Sequence, residues 1–200
     1  MNKWRFILFL ALVAHGSFGQ NVDSLKQVFR SSAADSVRFD AGYELTYAML
    51  EVSTDAVEQF AYPTFNLSKK LPLKFQLSAA YQMAYLYTGY DYDSAFKYIA
   101  IADSVNQLLE KDEYNALIFD LYAQFYESIR DFERAVLYYE AELEAARVTN
   151  DTSALSTALN NLAGLNFELQ RLPTALAMYQ ESLELSKAVG KSTLITLGNL

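Results

Sequence analysis

An alanine pattern repeats three times along the chain at a nearly constant interval. In each copy an alanine follows a large residue, and after a polar stretch a second alanine lies four residues before another large residue. Both the first and the second alanines recur at an interval of roughly 40 residues. The pairs are Ala84 and Ala95, Ala123 and Ala135, and Ala163 and Ala175. Such a period predicts a stack of repeated units, an architecture that presents an extended binding surface.

The first 19 residues have the pattern of a secretory signal peptide. Lys3 and Arg5 precede an apolar run over residues 6–14, and small residues then lead up to Gly19. We therefore expect cleavage between Gly19 and Gln20 and export to the periplasm, with an uncleaved N-terminal anchor as the alternative. No cysteine follows the apolar run, so the pattern excludes a lipoprotein anchor.

Loss of this segment changes the chemistry that the chain has available. It removes the only histidine, His15, and the only tryptophan, Trp4, and the sequence contains no cysteine. Basic residues fall from 16 to 14 against 24 acidic residues, a net charge of −10, which disfavours nucleic acids and anionic membranes as partners. Without histidine or cysteine, the chain cannot form a Ser–His or Cys–His catalytic pair. Metal sites with histidine or cysteine ligands are excluded for the same reason. We expect no enzyme activity, cofactor or metal site in these 200 residues.

The rest of the chain is predicted to form helices in antiparallel pairs. Glycine and proline are scarce, and no stretch alternates for long with the period of a strand. The expected pairs are 37–51 with 54–70, 74–88 with 92–110, 113–129 with 132–149, and 152–170 with 173–189. The alanine pairs allow two helices to approach closely. Ala102 and Ser182 repeat a small residue seven positions after the second alanine, whereas the middle copy has Glu142 there.

Residues 159–165 and 170–179 carry the clearest copy of the pattern. They resemble the tetratricopeptide repeat (TPR), and the resemblance extends over about residues 74 to 200. It departs from the family in two ways, because Ala80, Phe119 or Leu159 takes the tryptophan position and the closing proline is missing. The spacing exceeds the family's usual length of about 34 residues and is similar to the long repeats of kinesin light chains and bacterial signalling proteins. The resemblance implies an all-α, right-handed superhelical solenoid of antiparallel helix hairpins.

The pattern divides the chain into seven segments. They are the signal peptide (1–19), an N-terminal segment with a short helix (20–36), a degenerate repeat (37–71), three full repeats (72–111, 112–150 and 151–190) and the start of a further repeat (191–200). Pro63 is expected to kink the second helix of the degenerate repeat. Because the last segment is apolar and too short to hold a helix alone, we expect the N-terminal part of a longer protein. The alternative is that this segment packs as a cap.

In TPR proteins the first helix of each pair lines a concave groove that binds the ligand. Transferred to this sequence, the groove positions are Tyr81, Tyr85, Asp120, Gln124, Glu127, Asn160, Asn161 and Phe167. Asn160 and Asn161 are the most suggestive pair, because asparagine in related repeats hydrogen-bonds an extended peptide. The alternatives are an ordinary surface pair for the asparagines and core packing for the tyrosines. The stripe has no Lys or Arg, so a basic or neutral peptide fits better than a C-terminal carboxylate.

These patterns predict an exported TPR scaffold that binds a protein or peptide. The preferred parent is a longer bacterial signalling protein, such as a membrane sensor histidine kinase or a helix-turn-helix transcription regulator. A complete periplasmic scaffold for envelope assembly and an enzyme with attached repeats are the alternatives. This segment itself predicts no nucleic-acid partner, and it would meet the membrane only through a span beyond Leu200.

Overall fold

The computed structural model describes residues 18–50 and 54–188, and it is helical along most of that length. Within this range the helices are α1 (Phe18–Arg30), α2 (Asp35–Ala48), α3 (Thr54–Ser68), α4 (Leu73–Tyr87), α5 (Tyr92–Leu109), α6 (Asn115–Ser128), α7 (Phe132–Val148), α8 (Thr152–Glu168) and α9 (Leu172–Ala188). A 3-10 turn, Asp112–Tyr114, precedes α6. The described residues contain no strand, which confirms the all-α prediction. Residues 191–200 and most of the predicted signal peptide lie outside the described residues.

The eight helices predicted in pairs are all present as α2 to α9. No end differs from its predicted position by more than three residues. Asp91, Asp131 and Asp151 explain several of the starts, because each carboxylate accepts a backbone N–H bond from the first turn of the next helix. α3 continues through Pro63 without a break in its helical assignment, and the kink at this residue stays a prediction.

The described residues fall into two compact units, which meet between Met83 and Ala84 inside α4. In the first unit α2 packs on α1 and on α3. In the second unit α6 packs on α7 and α8 packs on α9, while α7 also packs on α8. The first helices of these two hairpins, α6 and α8, contact each other as well. They carry most of the predicted groove residues.

In the α6–α7 and α8–α9 hairpins the alanines pack as the sequence predicts. Ala123 and Ala135 belong to one buried cluster with Tyr139, and neither alanine has any exposed surface. Ala163 and Ala175 form the corresponding cluster with Tyr179. Because a methyl side chain adds little thickness, two helix backbones can approach closely at these points. The large residue four positions later then fills the adjoining space.

The turns of the second unit also recur at the repeat interval. Arg130 and Gln170, one repeat apart, follow the first helices of their hairpins with φ of 64° and 60°. The next N–H then bonds five residues back, from Asp131 to the Tyr126 carbonyl at 2.9 Å and from Arg171 to the Asn166 carbonyl at 2.8 Å. Both hairpins therefore turn in the same way.

Gly42 in α2 provides a test of packing in the first unit. A Cβ at this position would collide with Oγ1 of Thr64 and with the ring of Phe29. Overpacking costs about 1–3 kcal/mol, and alanine gains roughly 1 kcal/mol over glycine in a helix. We therefore expect Gly42→Ala to lower the free energy of unfolding by a net amount of up to about 2 kcal/mol. Urea denaturation measures the effect, and the exposed Asp40→Ala in the same helix is the control. Equal or greater stability of Gly42→Ala would contradict the packing described.

Candidate functional site

Six of the eight predicted groove residues lie on the adjacent helices α6 and α8. Asp120, Gln124 and Glu127 lie on α6, and Asn160, Asn161 and Phe167 lie on α8. Tyr81 and Tyr85 are half-buried on α4, where the chain passes from the first unit to the second. Gly19 and Gln20, at the predicted cleavage site, lie in the first turn of α1.

Asp120 is the polar centre of the α6–α8 contact and is 6% exposed. The Nδ2 of Asn161 donates to its Oδ1 at 3.1 Å, and the Nε2 of Gln124 donates to its Oδ2 at 2.7 Å. Its two carboxylate oxygens therefore each accept a bond, one from its own helix and one from the next repeat. Asn160, beside Asn161, is 9% exposed.

The bond from Asn161 has a counterpart in the first unit. Gln82 precedes Ala84 by the same two residues by which Asn161 precedes Ala163. Its Nε2 donates to the backbone oxygen of Tyr43 on α2 at 2.9 Å. In both units this position connects the first helix of one pair to the first helix of the preceding pair. The side-chain amides of Gln82 and Asn161 thus each donate a hydrogen bond inside the protein.

Glu142 on α7 is a buried carboxyl group that the site prediction missed. It is 3% exposed and takes the place that Ala102 and Ser182, both fully buried, take in the other copies. Burial raises its pKa well above the usual range, the Asp120 charge raises it further, and a hydrogen bond with Asn161 opposes both effects. No described residue bonds its buried Oε2. The replacement of a small residue by an acid within the repeat was the sequence signal for this group.

Glu127 joins α6 to the second helix of its own hairpin. Its Oε2 accepts a 2.6 Å hydrogen bond from the hydroxyl of Tyr139, which is 3% exposed. Burial raises the pKa of Glu127, the bond from Tyr139 lowers it, and the charges of Glu168 and Asp120 raise it. The pKa of Tyr139 is raised well above 10 by burial and by the surrounding carboxylates. On α9, the pKa of Tyr179 is raised by burial and then by Glu127.

We name Asp120, Glu127 and Glu142 the carboxyl cluster. Its hydrogen-bond donors are neutral amides and a tyrosine hydroxyl, and the half-buried Gln124, Glu127 and Asn161 bring it to the surface. Phe167, 53% exposed, has in α8 the repeat position that Glu127 has in α6. The described residues contain no group of three or more acids arranged to hold a metal ion. The arrangement offers acceptors and an aromatic surface to a ligand.

One solved structure relates the fold to a known protein. The crystal structure of BtubC (BKLC) from P. vanneervenii is similar to this chain with a TM-score of 0.68, covering 87% of this chain and 75% of that one. The sequence identity is 18%, so the similarity shows the fold alone. No protein-family model matches the chain, and no curated protein matches it. Within the described ranges, every helix is too short or too polar to cross a membrane.

The contacts of Asn161 predict a structural effect of its loss. Asn161→Ala removes a donor from the buried carboxyl groups of Asp120 and Glu142. We expect the free energy of unfolding to fall by about 1–3 kcal/mol, the range for a buried acceptor that loses its partner. Chemical denaturation measures this loss, with the exposed Thr157→Ala on the same helix as the control. An unchanged midpoint would show that the bonds of Asn161 are dispensable for folding.

The raised pKa of Glu142 predicts that stability depends on pH. Between its unfolded and folded pKa values the native chain holds a proton that the unfolded chain has released, so stability falls as pH rises. The Glu142→Gln variant has a side chain of nearly the same size and shape that cannot ionise. We expect this variant to be more stable than the natural chain at pH 8, by a margin that narrows towards pH 5. Thermal melts across this range measure the margin, with the exposed Glu140→Gln as the control; a constant margin would contradict the assignment.

Proposed function

We propose that this chain is an exported TPR-like scaffold whose activity is to bind a protein or peptide along the α6–α8 face. The observation that carries the proposal is the junction of Asp120, Gln124 and Asn161, where predicted groove positions from two successive repeats meet. The face combines half-buried amide and carboxyl groups with the exposed ring of Phe167. Aromatic anchors beside polar groups are typical of protein interaction surfaces.

The repeat geometry supports a TPR-like solenoid. The alanine clusters and the turns at Arg130 and Gln170 recur at one interval, and consecutive hairpins pack through α7 and α8. Repetition of one hairpin with one turn geometry is how solenoids grow.

The chemistry of the face favours recognition over catalysis. Its polar groups already form hydrogen bonds with one another, and none of those described is a nucleophile activated by a neighbouring base. The carboxyl cluster favours a basic or neutral ligand over an anionic one. Export rests on the sequence of residues 1–19, and we propose the periplasm as the place of binding. A role in signalling is our preferred context, and envelope assembly is the alternative.

Phe167 provides the test of the binding face. The full chain is screened against a displayed library of short random peptides, and the affinities of recovered peptides are measured by calorimetry. We expect Phe167→Ala to weaken binding roughly tenfold, the effect of losing an aromatic anchor worth about 1.4 kcal/mol. The melting temperature should change little, since the ring is 53% exposed.

The matched control is Leu137→Ala on α7, which removes a side chain of similar exposure, 60%, outside the proposed face. It should leave the affinity unchanged. Equal weakening by both variants would place the ligand elsewhere, and a library that yields no binder would count against peptide recognition.

A further inference from the structure

We propose that the α6–α8 face recognises a cationic side chain, arginine in preference to lysine, and that holding this cation requires Glu127 to be ionised. The inference rests on the proposed binding function and specifies the chemistry of the ligand. It also makes the affinity depend on pH. The arguments come from hydrogen bonding, from charge and from the position of Phe167.

The carboxyl cluster has more acceptor capacity than the protein's own donors fill. Asp120 receives the amides of Gln124 and Asn161, and Glu127 receives the hydroxyl of Tyr139. Glu127 is half-buried, and its other carboxylate oxygen, Oε1, accepts no hydrogen bond from a described residue. A ligand that completes such a network must bring hydrogen-bond donors. The guanidinium group has five N–H donors and no acceptor.

The charges around the cluster also favour a cation. α6 contributes Asp120 and Glu127, and α8 contributes Glu168. Glu142 on α7 adds a charge only when it is ionised, and its raised pKa opposes ionisation. Among the described residues, a hydrogen bond from Tyr139 lowers the pKa of Glu127, and a hydrogen bond from Asn161 lowers the pKa of Glu142. No described positive charge contributes to either shift. The tyrosines that face the cluster, Tyr139 on α7 and Tyr179 on α9, have raised pKa values for the same reason.

Several basic side chains of the second unit have partners elsewhere. They form ion pairs or lie over aromatic rings: Lys97 over Tyr98, Lys111 with Glu113, Arg130 over Phe132, Arg134 with Asp131 and over Tyr126, Arg147 with Glu144, and Lys187 with Glu184. The protein therefore uses these charges away from the cluster. Arg171, the exposed residue that follows α8, is not among the groups that shift the pKa of Glu127 or Glu142. A cationic ligand can therefore supply the counter-charge.

Phe167 selects arginine over lysine. Its ring is half exposed and has in α8 the repeat position that Glu127 has in α6. A planar guanidinium can stack on an aromatic face while its edge bonds a carboxylate, whereas an ammonium group acts as a point charge. This combination of ring and carboxylate distinguishes the two cations.

The link to protons follows from Glu127. Because its pKa is raised in the free protein, a fraction of the molecules carry a proton there in mildly acidic solution. A bound cation stabilises the ionised form, so binding releases a proton. The affinity must then rise with pH until Glu127 is fully ionised, and remain constant above that point.

The experiment is an NMR titration of the full chain with N-acetyl-arginine N-methylamide. The matched probe is the citrulline analogue, which has the same length and planar shape but no charge. At pH 8 we expect the arginine probe to bind about tenfold more tightly, the effect of a partly buried charged hydrogen bond. At pH 5 the difference should shrink several-fold. The lysine analogue should bind more weakly than the arginine probe.

Three variants separate the roles of the carboxyl groups. Glu127→Gln should abolish the pH dependence and most of the preference for arginine, while its oxygen can still accept the bond from Tyr139. Glu168→Gln, at an exposed position where folding is not at risk, should reduce the preference about twofold. The exposed Glu140→Gln should behave as the natural chain does. Circular dichroism melts verify that each variant is folded.

The outcomes separate this inference from the proposed function. Equal affinities for the two probes, an arginine preference that does not change with pH, or no binding of either probe would each overturn the inference. In any of these cases, library peptides that bind the natural chain and lose affinity in Phe167→Ala would leave the proposed function standing. Failure of the library as well would count against both.

Discussion

The second unit depends on the close approach of two helices at a pair of alanines in each hairpin. Ala123 with Ala135, and Ala163 with Ala175, keep helix backbones near each other because neither residue adds more than a methyl group. Tyr139 and Tyr179 then pack in the adjoining space, and the left-handed residue after each first helix turns the chain. Repetition of this contact places α6 beside α8, which brings Asp120 within reach of Asn161.

The same close packing buries Glu142 and raises the pKa of its carboxyl group. Seven residues after the second alanine, the other repeats have Ala102 and Ser182, which are fully buried. A glutamate there has little access to water, so its carboxyl group must find partners inside the protein or stay protonated. It bonds Asn161 and lies within the electrostatic reach of Asp120. A polar group buried in this way is costly unless its partners satisfy it.

The register of the repeat predicted which helices carry six of the eight groove candidates. Counting from the small alanine placed Asp120, Gln124 and Glu127 on one helix and Asn160, Asn161 and Phe167 on the next, and the structure has them there. The register could not predict the hydrogen-bond partner of each side chain. Asn161 was expected to hydrogen-bond a ligand, yet it bonds Asp120 and Glu142, since the distance between neighbouring repeats depends on packing. Glu142 was visible only as a departure from a small-residue pattern.

The sequence by itself determined the helices and the pairing of α2 with α3, α6 with α7 and α8 with α9. Helical periodicity, capping aspartates and the fixed interval are local properties, and a local property needs no knowledge of distant residues. Only the tertiary structure decided which carboxyl groups share an environment, how deeply each is buried, and that Glu127 bonds Tyr139 while Asn161 bonds Asp120. Those features depend on distances between helices, and side-chain packing summed over the whole hairpin stack determines such distances.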